Sequence, residues 1–317
     1  MAATGLAGAR AMNGRLGNER GVALVIVLGL VALIAAWAAE GAYEDMIAMR
    51  RAENFQQLVR ATMANESALA LAVQVLGKDA ATSQRDDLAE PWAQSAPPLP
   101  LDEGTVEGHI EDGNRYFDLN QLLREGKPNP DAMHMLQQVF ARNGFDPGKV
   151  EALVDWLDRD DTPIGPGGAE DAAYYDRSYH VANAPMRRWN TLRKVRGFDD
   201  PRLLRWLRRV CTVVPPTGKP VKVNVNTAPE AVLRMLFPRM SKADAEALIA
   251  GRPYDSVASA VAGKAWADAA GTQRLSVHSD VFIVYTKAVF GRVSLRERFV
   301  LYRDQKGIRL LLRERII

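Results

Sequence analysis

The sequence predicts an α+β fold in which a long N-terminal helix, membrane-crossing in its first part, packs on a small antiparallel sheet that carries a large all-α insertion. Three observations carry this. The eighteen residues from Val22 to Ala39 contain no charged side chain. Apolar residues then recur at helical spacing to Leu76 without a proline, and three runs rich in β-branched and aromatic residues close the chain after a long stretch of helical pattern.

The apolar segment is just long enough to cross a bilayer as a helix. Arg10, Arg15 and Arg20 precede it, while Glu40, Glu44 and Asp45 follow it. That asymmetry predicts a cytoplasmic N-terminus and an exported remainder. Three readings of the segment stand. It is a secretory signal cut near the small-x-small site Ala36-Trp37-Ala38, a plain single-pass anchor, or a segment that is kept after cleavage on its cytoplasmic side between Gly21 and Val22. The continuation favours the third. Phe55, Leu58, Val59, Met63, Leu69, Val73 and Leu76 extend the helical period, giving one rod from Val22 to Leu76 on the order of 80 Å long.

Pro91, Pro97, Pro98 and Pro100 mark a linker. Asp112-Gly113 is a hairpin signal between two short strand candidates in Thr105 to Asp118. From Leu119 to Gly271 the pattern is helical, punctuated by Asn129-Pro130, Asp146-Pro147-Gly148, Gly165-Pro166-Gly167-Gly168 and Pro215-Pro216. The runs Val277–Phe290, Arg292–Arg303 and Ile308–Arg315 read as an antiparallel meander. Because an isolated hairpin is marginal in water, the early strands are expected to join the late meander in one sheet, which makes the helical region an insertion.

With 47% hydrophobic and 25% charged residues and a net charge of +3, the chain is an ordinary folding sequence with no bulk electrostatic case for nucleic acid. A single cysteine, Cys211, excludes an intramolecular disulfide; flanked by Val210, Val213 and Val214, it reads as a small core residue.

A short basic leader, a glycine before the cut, an apolar stretch and a long amphipathic helix resemble the class III leader and N-terminal helix of type IV pilins and of type II secretion pseudopilins. In that family the fifth mature residue is usually glutamate; here, counting from Val22, it is Ile26. The departure resembles the K pseudopilins. Further along, Ala152-Leu153-Val154-Asp155-Trp156-Leu157-Asp158, Gly167-Gly168-Ala169-Glu170-Asp171, Tyr174-Tyr175, Asn183-Ala184-Pro185 and Val223-Asn224-Val225-Asn226-Thr227-Ala228-Pro229 are similar to the protein K family of the general secretion pathway over essentially the whole chain.

The resemblance implies a leader over 1–21, a pilin-like helix over 22–77 with its transmembrane part at 22–39, a linker over 78–104, a pilin-like sheet from 105–118 and 274–317, and an all-α insert over 119–273 with helix-hairpin-helix-like (SAM-like) repeats. It implies a minor pseudopilin at the tip of a short pseudopilus that supports export across the outer membrane. Such a protein is single-pass in the inner membrane with its body in the periplasm. The implied partners are the minor pseudopilins I and J, with H, the inner-membrane assembly platform and the secretin beyond them.

Between Asp155 and Asp176 seven carboxylates face only Arg159 and Arg177. Calcium takes six to eight oxygens, which such a loop supplies without histidine or cysteine. The EF-hand pattern does not fit, since from Asp158 the sixth position is Pro163 and the twelfth Ala169. Two readings stay open: a bespoke structural calcium loop, which the resemblance implies, with Asp158, Asp160, Asp161, Glu170 and Asp171 as ligands and Asp155 as a further candidate, or an exposed acidic loop with helix caps. A glycosidase-type carboxylate pair finds no support elsewhere in the chain, and no enzyme is expected.

Val223 to Glu230 with Ala247 to Arg252 resembles a helix-hairpin-helix module, with Asn226 or Thr227 as the expected helix cap. In a membrane-anchored competence protein this module binds DNA, and that is the alternative function. DNA contact needs a glycine-flanked hairpin whose N–H groups approach a phosphate. Here the hairpin Leu236 to Ser241 has no glycine, and an earlier copy follows Gly197 with Phe198 and Asp199. Nucleic-acid binding is not expected. The cluster Arg187, Arg188, Arg193, Lys194, Arg196, Arg202, Arg205, Arg208 and Arg209 reads as a solvated face or a partner contact.

Overall fold

The computed structural model describes residues 16–316; the leader expectation for residues 1–15 lies outside the described residues. The chain forms two compact units that divide between Val59 and Arg60.

Helix α1 (Leu16–Thr82) runs for 67 residues, because nothing in this stretch breaks it: it holds no proline, and its interior glycines each cost only about 1 kcal/mol. It contains an 18-residue window of mean hydropathy 2.8, none of it buried, so it is long and apolar enough to cross a membrane. None of the residues from Val22 to Val59 is buried. The helix continues five residues past the expected end at Gly77 and shortens the linker accordingly. Beyond Gly77, Asp79 accepts from the Arg303 guanidinium at 2.8 Å, and the Ser83 N–H donates to the Asp79 carbonyl at 2.8 Å.

In the second unit the face of α1 turned to the sheet is small. Ala61, Ala64, Ala72 and Leu76 are buried, together with Asn65, whose amide donates to Glu297 at 3.0 Å. The expected apolar stripe is split. Leu76 is fully buried and Leu69 and Val73 half-buried, whereas Phe55, Val59 and Met63 stay 68%, 40% and 63% exposed. Alanines let the helix backbone approach the strands closely. There Leu76 meets Trp92, Phe282, Val284, Phe299 and Leu301.

That sheet is antiparallel in the order β1 (Leu99–Leu101), β2 (Gly104–Asp112), β9 (Val281–Phe290), β10 (Val293–Asp304) and β11 (Gly307–Ile316). Early and late strands share one sheet, with Val106 opposite Ala288 and Ile110 opposite Val284. The expected hairpin at Asp112-Gly113 is corrected: the hairpin is β1–β2, turning at Asp102-Glu103 with Glu103 at φ 63. At Asp112 the carboxylate accepts the Asn114 N–H at 2.7 Å and bends the chain out of the sheet. Gly113 is there for space, since a Cβ would stand 2.6 Å from the Val281 side chain.

Between β2 and β9 lie β3 (Phe117–Asp118), β4 (Leu123–Arg124), β5 (Lys127–Pro128), α2 (Pro130–Arg142), α3 (Lys149–Leu157), α4 (Pro201–Leu207), β6 (Cys211–Thr212), β7 (Val223–Asn224), α5 (Glu230–Leu236), α6 (Lys242–Ala250), α7 (Val257–Val261), α8 (Ala269–Gln273) and β8 (Leu275–Ser276). The expectation of a purely helical segment is amended by three ladders, β3 with β6, β4 with β5 and β7 with β8. At two residues each they are too short to show an alternating pattern. Asn129, Asp200 and Ser241 cap α2, α4 and α6. A core of Phe117, Phe140, Phe198 and Phe237 holds these helices together. Cys211 is buried in it, and burial pushes its thiol well above the ordinary range.

The expected cap of α5 by Asn226 or Thr227 is also corrected, since Pro229 precedes the helix without a side-chain bond. Both side chains are taken by tertiary partners. The Asn226 amide brackets the Tyr254 backbone at 2.8 and 3.0 Å, and the Thr227 hydroxyl donates to Asp112 at 2.5 Å. Buried Asp112 also accepts from the Ser279 hydroxyl at 2.7 Å and the Asn224 amide at 3.2 Å. One carboxylate at the end of β2 thus fastens both ends of the β7–α5 turn to the approach to β9.

Candidate metal centre

Helix α3 carries a half-buried carboxylate, Glu151, in its first turn and a buried one, Asp155, towards its C-terminal end. Asp155 accepts the Ile164 N–H at 3.1 Å and the Ala169 N–H at 2.6 Å, while Glu151, one turn earlier, accepts the Gly167 N–H at 2.7 Å. These bonds draw the 163–169 loop against the helix. The loop lies so close that a Cβ on Gly167 would stand 2.5 Å from the Gly148 carbonyl oxygen. Gly167→Ala should therefore cost about 1–3 kcal/mol through overpacking, read as a lower midpoint in urea unfolding with an unchanged slope. Behind the loop the rings of Trp156, Tyr174 and Tyr179 cluster with centroids 5.6 to 6.3 Å apart, Trp156 and Tyr179 edge to face and the other two pairs tilted.

Asp158 caps the C-terminus of α3 in an extended conformation. One oxygen each from Asp158, Asp160 and Glu170 lies within 4.8 Å of the other two. Asp158 and Glu170 are 2% and 6% exposed. Among the described residues no donor reaches Asp158 Oδ1 or either carboxylate oxygen of Glu170. Burial, followed by repulsion from neighbouring carboxylates, pushes Asp158 up to about 6 and Glu170 up to about 7.

Leaving buried carboxylate oxygens without a donor is costly. A divalent cation would supply the missing charge, and the donor set is all oxygen, as calcium or magnesium requires. The residues present fit such an ion.

Of the expected ligands the fold brings together Asp158, Asp160 and Glu170. It gives the other two different work. Asp161 accepts from the Asn183 amide at 2.9 Å, and Asp171 accepts the Val181 N–H at 3.0 Å and faces His180 Nδ1 at 3.1 Å. Asp155 is occupied by the two backbone donors. Sequence reasoning missed Asn183 as a candidate. It sits at φ 43, its Nδ2 donates to the Asp160 carbonyl at 3.2 Å, and its Oδ1 is buried without a donor. The signal was the Asn-Ala-Pro sequence itself, a polar residue suited to the left-handed region just ahead of a proline.

The helix-hairpin-helix elements also form. Helices α5 and α6 are joined by a turn in which Phe237 and Met240 are buried, and Gly197 of the earlier copy takes φ +83. In the turn between α5 and α6 the N–H groups of Phe237, Met240 and Ser241 are taken by Leu233, Phe237 and Asp244.

Two family models, both described as "Type II secretion system (T2SS), protein K", match residues 115–216 and 223–279. Type II secretion system protein K of Klebsiella pneumoniae is 30% identical over 314 residues, covering 90% of this chain and 93% of that protein. The chain belongs to the type II secretion system protein K family. A second protein K, from Pseudomonas aeruginosa, is 31% identical over 233 residues, 69% of this chain and 68% of its own. Among solved structures, the crystal structure of a GspK-GspI-GspJ complex from enterotoxigenic Escherichia coli contains a chain that superposes with a TM-score of 0.75. It is 24% identical and covers 84% of this chain and 99% of its own, a likeness of fold. Both protein K models fall between β2 and β9, and the first contains the whole candidate metal centre.

Proposed function

We propose that this protein K is the minor pseudopilin at the tip of the type II secretion pseudopilus. It assembles there with minor pseudopilins I and J to initiate the filament and support export across the outer membrane, and its role is architectural rather than catalytic. The observation that carries this is the single helix α1, whose apolar first part is exposed while its last turns pack on the sheet through Ala72 and Leu76. A helix of this kind is suited to leave lipid and enter a bundle of like helices. Phe55 and Val59, one turn apart and exposed, offer the apolar ridge such packing uses.

In this reading the leader is removed between Gly21 and Val22, the segment 22–39 is held in the inner membrane, and the body is periplasmic. Ile26 replaces the charged hook that a subunit above would engage, which a tip subunit does not need. Asp158, Asp160 and Glu170, with Asn183 beside them, would hold a structural calcium ion that fixes the 158–170 loop. Component H, the assembly platform and the secretin are further partners of the assembled tip. The glycine-free hairpin of α5 and α6 gives the DNA-binding alternative no support.

Co-purification from membranes with tagged I and J tests the proposal. The full chain is expected to retain both, and Phe55→Glu to reduce recovery at least about tenfold, the effect of burying an unpaired charge. Mass spectrometry of the same material is expected to place the mature N-terminus at Val22. A chain beginning near Ala39, or one that retains neither sibling, would overturn the reading.

A further inference from the structure

Part of the arginine cluster between Arg187 and Arg209 faces a groove of about 930 Å³. One wall is the insert, with Arg188 and Trp189 and the Arg208 side chain 5.4 Å over the Trp189 ring. The other is the sheet, where the groove touches Arg298 and the four consecutive residues Arg313, Glu314, Arg315 and Ile316 of β11. Successive side chains of a strand point to opposite faces. A groove that meets four in a row therefore meets main chain as well as side chains.

The charge in this groove is one-sided. Five arginines line it against two glutamates, Glu111 and Glu314, so it concentrates an excess of three positive charges, as large as the +3 of the entire chain. Glu314 is shared, 3.3 Å from Arg188 and 3.0 Å from Arg298. Arg313 is neutralised by Glu297 at 2.8 Å and Glu66 at 3.0 Å. Among the described residues no carboxylate pairs with Arg208 or Arg315. Guanidinium groups seek planar carboxylates, and two here lack one while two others divide one between them.

Strand β11 is the edge of the sheet, ten residues long, and no strand of the described residues pairs with its far side. A long edge with open backbone groups is a template for a further strand.

We propose that this groove docks an extended acidic segment of a partner protein, which adds to the sheet along β11 and places its carboxylates on Arg208, Arg315 and the Arg188–Glu314 bridge. Main-chain bonds supply register and the arginines supply selection for acidic side chains. The Trp189 and Tyr285 rings in the lining give its apolar side chains a floor.

Fluorescence anisotropy with the full chain in detergent tests this. The probe is a labelled peptide of about ten residues alternating glutamate and valine, compared with its lysine counterpart and with a proline-interrupted acidic peptide. No sibling pseudopilin is present, so the result is independent of tip placement. The alternating acidic peptide is expected to bind, more weakly as salt rises. The double variant Arg208→Glu/Arg315→Glu, both residues being exposed, should weaken it at least tenfold, about 1.4 kcal/mol, and should bind the lysine peptide instead. Circular dichroism confirms that this variant is folded. Equal binding of the acidic and lysine peptides, or indifference to the double reversal, would sink the proposal. So would equal binding of the proline-interrupted peptide, or charge-dependent binding of duplex DNA or anionic vesicles without binding of the peptide.

Discussion

Asp112→Ala should lower the unfolding free energy by about 2–5 kcal/mol, since it takes an acceptor from three buried side-chain donors. Two of them are hydroxyls left short of a partner at roughly 1–3 kcal/mol each, while the third keeps its bonds to the Asp86 carbonyl and the Ser279 hydroxyl. Those donors are the Thr227 hydroxyl, the Ser279 hydroxyl and the Asn224 amide. Asn224 and Thr227 belong to the β7–α5 turn of the insert, and Ser279 precedes β9. The variant therefore loosens the insert from the sheet rather than hollowing out either core. Urea unfolding followed at two probes distinguishes these outcomes. Tryptophan fluorescence, with Trp156 and Trp266 in the insert core, should lose its coincidence with far-UV dichroism. A single coincident transition with a loss under about 1 kcal/mol would mean that the donors find other partners. Asp112→Asn keeps the shape and one acceptor oxygen, so its cost should fall clearly below that of alanine.

Calcium should raise the melting temperature of the full chain, and removal by a chelator should reverse the rise. An ion that binds only the folded state stabilises by about 2.7 kcal/mol at a concentration one hundred times its dissociation constant, or roughly 5–10 °C for a domain of this size. The response of Glu170→Gln should depend on the metal. In chelator the substitution removes a buried carboxylate that burial and its neighbours push up to about 7, and it should leave stability unchanged or raise it. In calcium the same variant should lose most of the metal-dependent increment, because an amide oxygen is a weaker ligand for a hard cation than a carboxylate. Differential scanning calorimetry with and without calcium measures both. A melting temperature indifferent to calcium would leave only the acidic-loop reading.

The two sites differ in how far a sequence can reveal them. The acidic loop was visible as a run of carboxylates, but membership was not. Asp161 and Asp171 have the same chemistry as Asp158 and Asp160, and only the path of the loop turns them towards Asn183 and His180. Asn183, 23 residues from Asp160, enters through a turn that Asn-Ala-Pro marks locally, but nothing local says that this turn reaches the acidic loop. In the sheet the late strands were legible because β-branched, aromatic and other apolar residues recur along segments of ten or more residues. Asp112-Gly113 was misread as a hairpin because local grammar cannot tell a glycine needed for φ > 0 from one needed for room beside Val281.

By itself the sequence determined the long helix, its membrane-crossing first part, the class of fold and the family. These rest on period and composition, which act within a few residues. Tertiary structure alone decided which face of α1 packs on the sheet, which three carboxylates converge, and that Asp112 joins insert to sheet. It also set arginines from two distant segments across one groove from the edge strand. The contacts of α1 with the sheet, the Asp112 bonds and the groove depend on groups a hundred or more residues apart being brought within reach, and the carboxylates, only twelve residues apart, converge through the path of a loop. Neither is written in the local pattern.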